Sequence, residues 1–167
     1  LGLGEFRFVN NIKVDIEDFV EFVSLGDCIR VNKSEEDLSG TIIPIGGGKD
    51  SNVTLELLKK ESDTLAFVIG SKAVSMECAR IAGYDENRII EVKRVIDKRL
   101  IELNGKGFLN GHTPFSAIVA FITYLCASLI GKKYIALSNE DSANESNVEG
   151  ENINHQYSKT IEFENDF

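Results

Sequence analysis

The chain has 167 residues, of which 43% are hydrophobic and 27% charged, a composition typical of a globular domain with its own core. Its net charge of −9 argues against a nucleic-acid-binding protein, because binding phosphates requires a basic face. The three cysteines form no disulfide or metal-binding pattern, and no signal-peptide pattern precedes residue 20. We therefore expect a cytoplasmic protein with no nucleic-acid or membrane partner.

The first 38 residues are interpreted as a separate amino-terminal element or as the tail of a preceding domain. Residues 5–9 alternate in a way that predicts a short strand. Residues 15–26 repeat apolar residues at helical spacing and end in Gly26, which predicts a helix. A polar break then leads into a domain over residues 39–167, which we expect to be incomplete at its carboxyl end.

From residue 39 onward, predicted strands and helices alternate along the chain. Val53, Leu57 and Lys60 share one face of the first predicted helix, with Leu58 beside them. One face of the second carries Val74, Cys78, Ile81 and Ala82. Such alternation predicts an α/β fold, a parallel sheet with helices on both faces. The predicted strands are 41–45, 64–70, 87–94 and 134–139, and the predicted helices are 51–60, 71–83 and 114–131.

The carboxyl ends of these strands carry the polar and glycine-rich segments of the domain. Residues 46–51, 70–71 and 138–144 follow three of the strands directly, and a fourth segment begins after Arg94. Ligands of parallel sheets bind at this edge, so we expect the four segments to converge on one site.

The segment Gly46–Ser51, with the sequence GGGKDS, lies between a strand and a helix. It is not a Walker loop, because Asp50 replaces the required Ser or Thr and Ile43 replaces the first glycine. A plain turn is the alternative reading of an isolated glycine triplet. Here the loop opens a helix, whose free N–H groups and dipole favour an anion such as phosphate.

The GGGKDS loop resembles the Ser-Gly-Gly-x-Asp-Ser loop of the PP-loop ATP pyrophosphatases, with Gly46 at the position of the family's serine. The resemblance implies an adenine-nucleotide alpha hydrolase-like (PP-loop) fold with ATP and Mg²⁺ as cofactors. It also implies that the loop holds the pyrophosphate and that Asp50 helps to hold Mg²⁺. The predicted cofactor-binding residues are Gly46, Gly47, Gly48, Lys49, Asp50, Ser51, Gly70 and Ser71.

Three further blocks, NGHTPFSA, SNEDSANE and NHQYSK, follow the loop in that order. Together they resemble the ATP-dependent UDP-N-acetylmuramoyl-L-alanyl-L-glutamate epimerases over roughly residues 41–167. The resemblance implies that the terminal L-Glu of the UDP-N-acetylmuramoyl-dipeptide is epimerised to D-Glu through an acyl-adenylate, with release of AMP and pyrophosphate, in peptidoglycan precursor synthesis. Members of that family are longer on both sides, so this chain is expected to be a fragment.

Epimerisation requires acid–base groups near the α-carbon. Our first candidates are the two histidines, His112 and His155, followed by Tyr157 and Lys159. A helix-organising role for His112 and a tail position for His155 remain open alternatives. Glu140, after the last strand, is a second candidate Mg²⁺ ligand, since hard cations prefer carboxylate oxygens.

Several assignments stay open at this point. Asn139 is a candidate substrate contact, and Arg99 and Asn104 could contact substrate carboxylates or lie in a solvated loop. The eight acidic residues within 138–167, against a single lysine, are typical of a solvated end, with a metal-binding or catalytic segment as the alternative. Another PP-loop adenylating enzyme, either tRNA-modifying or amide-forming, is the second functional reading, and a non-catalytic nucleotide-binding module is the third. The oligomeric state is not predicted.

Overall fold

The computed structural model describes residues 3–27, 37–70, 72–109, 114–146, 148–150 and 153–167. In this part of the chain a four-stranded sheet has the order β3-β2-β1-β4, and every neighbouring pair is parallel. The predicted α/β fold with a parallel sheet is therefore confirmed. The strands are β1 (Ser39–Pro44), β2 (Thr64–Ile69), β3 (Ile89–Val92) and β4 (Lys132–Ile135).

Helices pack on both faces of the sheet, as predicted. Helices α3 (Lys49–Leu58) and α4 (Ala73–Ile81) cover one face, and α6 (Phe115–Leu129) covers the other. The other helices of the described residues are α1 (Gly4–Val9), α2 (Ile16–Phe19), α5 (Lys98–Gly105) and α7 (Ile161–Asp166), with 3₁₀ turns at Glu86–Arg88, Asp141–Asn144 and Tyr157–Lys159.

The two faces arise from the two-residue period of the central strands. On β1, Ile43 packs towards α3 and α4, whereas its neighbour Ile42 packs towards α6. The first cluster contains Ile43, Ile45, Leu55, Ala66, Val68, Ala79 and Tyr84, and the second contains Ile42, Phe67, Ile69 and Ala127. Burial on both faces explains why β2 and the second half of β1 are apolar.

The strand order defines where a ligand can bind. The chain passes from β1 to β2 to β3 in one direction and then returns to place β4 on the other side of β1. The order reverses between β1 and β4, and ligands of open α/β sheets bind outside the carboxyl ends of the strands at this switch point.

Helix α4 ends at the predicted glycine. Gly83 has φ +96° and follows the C-cap residue Ala82. Its N–H donates to the Arg80 carbonyl, and the Tyr84 N–H donates to the Ala79 carbonyl, both at 3.0 Å. This pair of bonds is a Schellman motif. It directs Tyr84 into the core, where the phenol donates to Thr64 Oγ1 at 3.1 Å.

The predictions for the amino-terminal region were wrong in two respects. Residues 5–9 lie in α1 and not in a strand, because alternation over five residues does not distinguish a strand from one helical turn. The helix predicted over 15–26 is only the four residues of α2, and Val20, Phe22, Val23 and Leu25 beyond it are exposed. An amphipathic pattern holds a helix only where its apolar face is buried.

Several details of the sheet domain also differ from the predictions. Val53 and Leu57 are exposed and Leu55 faces the core, because α3 begins at Lys49. On α4, Val74 and Ile81 are exposed, Ser75 and Ala79 are buried, and Cys78 is half-buried against the core. Strand β4 begins two residues earlier than predicted, and α5 forms over Lys98–Gly105, where no helix was predicted.

Candidate functional site

A cavity of about 520 Å³ lies at the switch point of the sheet. It is lined by Pro44 and Ile45 after β1, by Leu137 and Ser138 after β4, and by Phe115 at the start of α6. Its volume is within the range of small-molecule sites, and its walls are mostly apolar with a few polar groups. The convergence of the 46–51 and 138–144 segments on one site is thus confirmed for Gly46, Gly48, Asp50, Ser51, Ser138 and Asn139, all of which line the cavity.

The glycine loop connects β1 to the first turn of α3. Gly48 is the N-cap of α3, and its carbonyl accepts a hydrogen bond from Ser51 Oγ at 3.1 Å. Ser51 is only 8% exposed, so its hydroxyl closes the loop from the inside. A Cβ on Gly46 or Gly48 would meet no atom within 4 Å, so there is open space beside the loop at these two residues. The free N–H groups of α3 therefore face a space that an anion can enter.

Gly47 is the position in the loop that requires glycine. Its φ is +81°, and a Cβ there would lie 3.1 Å from Val74 Cγ1 and 3.2 Å from Ser75 Oγ. Ser75 is fully buried, and its hydroxyl has no hydrogen-bond partner in the described parts of the chain. The loop therefore packs tightly against the first turn of α4, above an unsatisfied hydroxyl.

Three charged side chains meet beside the loop. Lys49 Nζ lies 3.0 Å from Glu140 Oε2 and 3.5 Å from Asp50 Oδ1. The hydrogen bond to Glu140 and the nearby Asp50 carboxylate raise the pKa of Lys49 above its usual value. The lysine side chain is 75% exposed, so this cluster stays accessible to a ligand. Asp50 and Glu140, the two predicted metal ligands, thus lie on either side of the Lys49 ammonium group.

A hydrogen bond between α3 and the segment after β4 was not predicted from the sequence. Thr54 Oγ1 lies 2.8 Å from Ser138 Oγ and also donates to the Asp50 carbonyl at 3.1 Å. The bond fixes the segment that carries Glu140 next to the glycine loop. Ser138 directly follows β4, but the strand order is needed to place it beside Thr54.

Two segments after β4, residues 138–146 and 153–167, pack on each other and form one wall of the cavity. Asn154 Nδ2 donates to the Ala143 carbonyl at 2.6 Å, and the Ile161 N–H donates to Asn144 Oδ1 at 3.0 Å. Thr160 caps α7 by accepting from the Phe163 N–H at 3.1 Å. The described acidic side chains of this segment are exposed, as expected for a solvated end, while its backbone forms turns and a helix.

The structure separates the candidate acid–base residues. Lys159 lines the cavity and donates to Gln156 Oε1 at 3.3 Å. His155 is half-buried in the same turn but is not a lining residue. The Tyr157 hydroxyl donates to Asp166 Oδ2 at 2.6 Å, which raises its pKa to about 12. Of these three residues, Lys159 has the most direct access to a bound molecule.

Other predicted residues lie elsewhere or outside the described residues. His112 and Ser71 lie outside the described residues, so their roles remain predictions. Gly70 has φ +85° and ends β2, where its N–H donates to the Val92 carbonyl at 2.8 Å. Arg99 is paired with Asp97 at the start of α5, and neither Arg99 nor Asn104 lines the cavity.

The residues present fit a nucleotide with a metal ion. The cradle at Gly47, the open N–H groups of α3 and the adjoining cavity suit a phosphate chain joined to a larger group. Among the described residues, no group of three or more His, Cys, Asp or Glu side chains could hold a metal by itself. Asp50 and Glu140 offer carboxylate oxygens, the type of ligand that Mg²⁺ takes, and Mg²⁺ usually completes its coordination with substrate phosphates and water.

The family model of the MurL N-terminal domain matches residues 1–167. It includes residues 1–38, which the motif resemblance did not cover. Three curated relatives also match, each named UDP-N-acetyl-alpha-D-muramoyl-L-alanyl-L-glutamate epimerase. The relative from Salinispora tropica is 39% identical over 72% of this chain, that from Xanthomonas oryzae 32% over 99%, and that from Micromonospora 31% over 98%.

The chain spans 26% of the Salinispora relative's length and 36% of the length of each of the other two. No solved structure matches it. Within the described residues, no helix has the length and apolar character needed to cross a membrane.

Proposed function

The chain belongs to the MurL N-terminal domain family, and from this premise we propose that it provides the nucleotide site of a UDP-N-acetylmuramoyl-L-alanyl-L-glutamate epimerase. The proposed reaction converts the terminal L-Glu of the dipeptide to D-Glu and consumes ATP, in peptidoglycan precursor synthesis. We further propose that the α/β domain is of the PP-loop type and acts in the cytoplasm.

One observation carries the proposal: the glycine loop opens onto the cavity at the switch point. The loop presents the N–H groups of α3, and the adjoining apolar cavity has room for a base and sugar beside the phosphates. The names of the curated relatives supply the substrate class. They do not specify how the reaction is driven, and the loop motif is the reason for proposing ATP.

Adenylation removes the main obstacle to the reaction. If the α-carboxylate is free, removal of the α-proton places the negative charge of a carbanion beside the negative charge of that carboxylate. In the proposed first step, an oxygen of the glutamate α-carboxylate attacks the α-phosphorus of ATP, and pyrophosphate leaves. The resulting acyl-adenylate is uncharged at the acyl group and can delocalise the carbanion when a base takes the α-proton. A proton returns on the opposite face, and water then cleaves the acyl–phosphate bond, which releases AMP and restores the carboxylate of the D-glutamyl residue, still joined to the rest of the precursor.

The residues of this chain divide between binding and proton transfer. The N–H groups around Gly47 and Gly48 bind the departing pyrophosphate, and the Lys49 ammonium neutralises part of its charge. Mg²⁺, when bound by Asp50 and Glu140 together with the phosphates, would stabilise the remaining charge. For proton transfer we propose His155 and His112, with Lys159 as the competing candidate because it lines the cavity.

The full-length protein should be incubated with Mg-ATP and the UDP-N-acetylmuramoyl-dipeptide in D₂O. AMP release and deuterium at the glutamate α-carbon are then followed together. Both signals are expected. AMP without deuterium would keep the adenylating chemistry and indicate another acceptor, as in the ligases of the same superfamily. ATP binding with neither signal would contradict catalysis and leave a nucleotide-binding module.

A further inference from the structure

Helix α6 carries large apolar side chains on a face that the sheet does not cover. No residue between Phe115 and Leu129 is charged. On the face towards the sheet the small residues Ala120, Thr123 and Ala127 are buried, and Val119 and Ile122 pack against the same core cluster. The opposite side presents an apolar stripe, defined as Phe121, Leu125 and Leu129, which are 61%, 57% and 76% exposed.

The spacing of four residues places the stripe along one side of the helix. The helices on the other face of the sheet also expose apolar side chains, among them Leu57 and Ile81, but their outward sides carry ion pairs as well. Lys59 pairs with Glu56 at the end of α3, and Arg80 on α4 pairs with Glu77 and Glu86. A helix that is apolar on all sides is normally buried, and a contiguous exposed apolar patch normally marks an interaction surface.

One end of the stripe already has an apolar partner. The Phe167 ring packs edge-on against Phe121 with its centroid 4.9 Å away, and it also contacts the Tyr124 ring at 6.2 Å. The other end, at Leu125 and Leu129, has no such cover in the described residues. Beside it lies β4, a sheet edge that pairs only with β1 in the part of the chain described.

We propose that the apolar stripe of α6 is the docking surface for the remaining polypeptide of the full-length protein. The occupant is the region that the curated relatives carry beyond the part that matches, which is roughly two thirds or more of their length. It is expected to present apolar side chains, since the stripe offers no charge for an ion pair. A covalently linked region has a high effective concentration, so it can cover a patch too small to hold a separate chain.

Cysteine accessibility in the full-length protein tests the docking surface. Leu125→Cys and Leu129→Cys report on the stripe, and Leu57→Cys is the matched control, because Leu57 is 73% exposed on the opposite face of the sheet. Labelling with a maleimide is followed peptide by peptide in the mass spectrometer. We expect the two stripe cysteines to react at least about tenfold more slowly than the control, and equally fast after denaturation.

Equal labelling rates at all three positions in the native protein would overturn the proposal. Protection that disappears on dilution would also overturn it, because a second copy would then be the cover. If a cysteine variant fails to fold, a second measurement compares Leu129→Lys on the stripe with Leu57→Lys at the control position. The melting temperature of the full-length protein should fall clearly for the first substitution only, and equal melting temperatures would contradict burial of the stripe.

Discussion

The two ends of the sheet are built differently. At the amino end, Asp63 joins three strands: its carboxylate accepts from Ser39 Oγ on β1 at 2.9 Å and pairs with Lys132 on β4. Gly40 approaches so closely that a Cβ there would lie 2.3 Å from Asp63. At the carboxyl end, glycines, exposed charges and a cavity follow the strands. The first end contributes to the stability of the fold, and the second leaves groups free for chemistry.

The difference predicts that substitutions at the two ends have separable effects. At the carboxyl end, Asp50→Asn should abolish AMP formation by the full-length protein, a loss of about a hundredfold or more, because the charge of the proposed Mg²⁺ ligand is removed. The melting temperature should stay unchanged, since Asp50 is partly exposed. Asp97→Asn, at an exposed carboxylate of α5, is the control. Full activity in Asp50→Asn would contradict the metal assignment.

The next prediction separates adenylation from proton transfer within the carboxyl end. His155→Ala should stop deuterium entry at the glutamate α-carbon while binding of ATP persists, because a positioned base contributes about 10²–10⁴-fold. Lys159→Met is measured in parallel, since Lys159 lines the cavity and His155 does not. Deuterium entry at the normal rate in His155→Ala, with loss in Lys159→Met, would transfer the role of the base to the lysine.

A third substitution tests the shape of the loop. Gly47→Ala should weaken ATP binding about tenfold or more, because a non-glycine residue at φ +81° costs about 1–3 kcal/mol and its Cβ would press on Val74 and Ser75. Gly46→Ala is the matched control, since its Cβ would meet no atom within 4 Å. Calorimetric titration with ATP measures both. Equal affinities in the two variants would show that the loop conformation is not needed for binding.

These positions also show how far the sequence alone could predict the site. The glycine loop was predictable because a β-branched run, three glycines and a helical pattern are local features. The contacts of the loop with Ser75 and of Thr54 with Ser138 were not, because they form only through the strand order. No local pattern specifies that β4 lies beside β1.

The fold was predicted better than the orientation of its helices. Parallel strands and helices on both faces follow from alternation along the chain. The inward side of α3 depends on where the helix begins, and it begins at Lys49 on the glycine loop. Leu55 therefore faces the core and Val53 does not, although both are apolar. The short α1 and α2 were misassigned because few residues carry the signal.

At the amino end of the sheet, Asp63→Ala should lower the melting temperature by several degrees without changing ATP affinity. Asp63 has φ +62°, so Asp63→Asn, which tolerates that conformation, should lose less stability. The hydrogen bond from Lys132, followed by that from Ser39, lowers the pKa of Asp63. Its stabilisation is therefore present above the usual carboxyl pKa and is lost as the pH falls through the lowered value. The difference in stability between wild type and Asp63→Asn should accordingly shrink in acid.

The smallest effect is expected at Tyr157, and it has the opposite pH dependence. The hydrogen bond to Asp166 raises the pKa of Tyr157 to about 12, because the carboxylate accepts from the protonated phenol and repels the phenolate. Any stabilisation from this bond is complete below the usual tyrosine pKa and is lost as the pH rises through about 12. Absorbance titration of phenolate, as the difference between wild type and Tyr157→Phe, should show this late transition. Asp166→Asn should move it back towards the usual range, and an unchanged transition would contradict the contact. Acid would then weaken the Asp63 contacts at the amino end of the sheet. Alkali would weaken the Tyr157–Asp166 contact in the cavity wall at the carboxyl end.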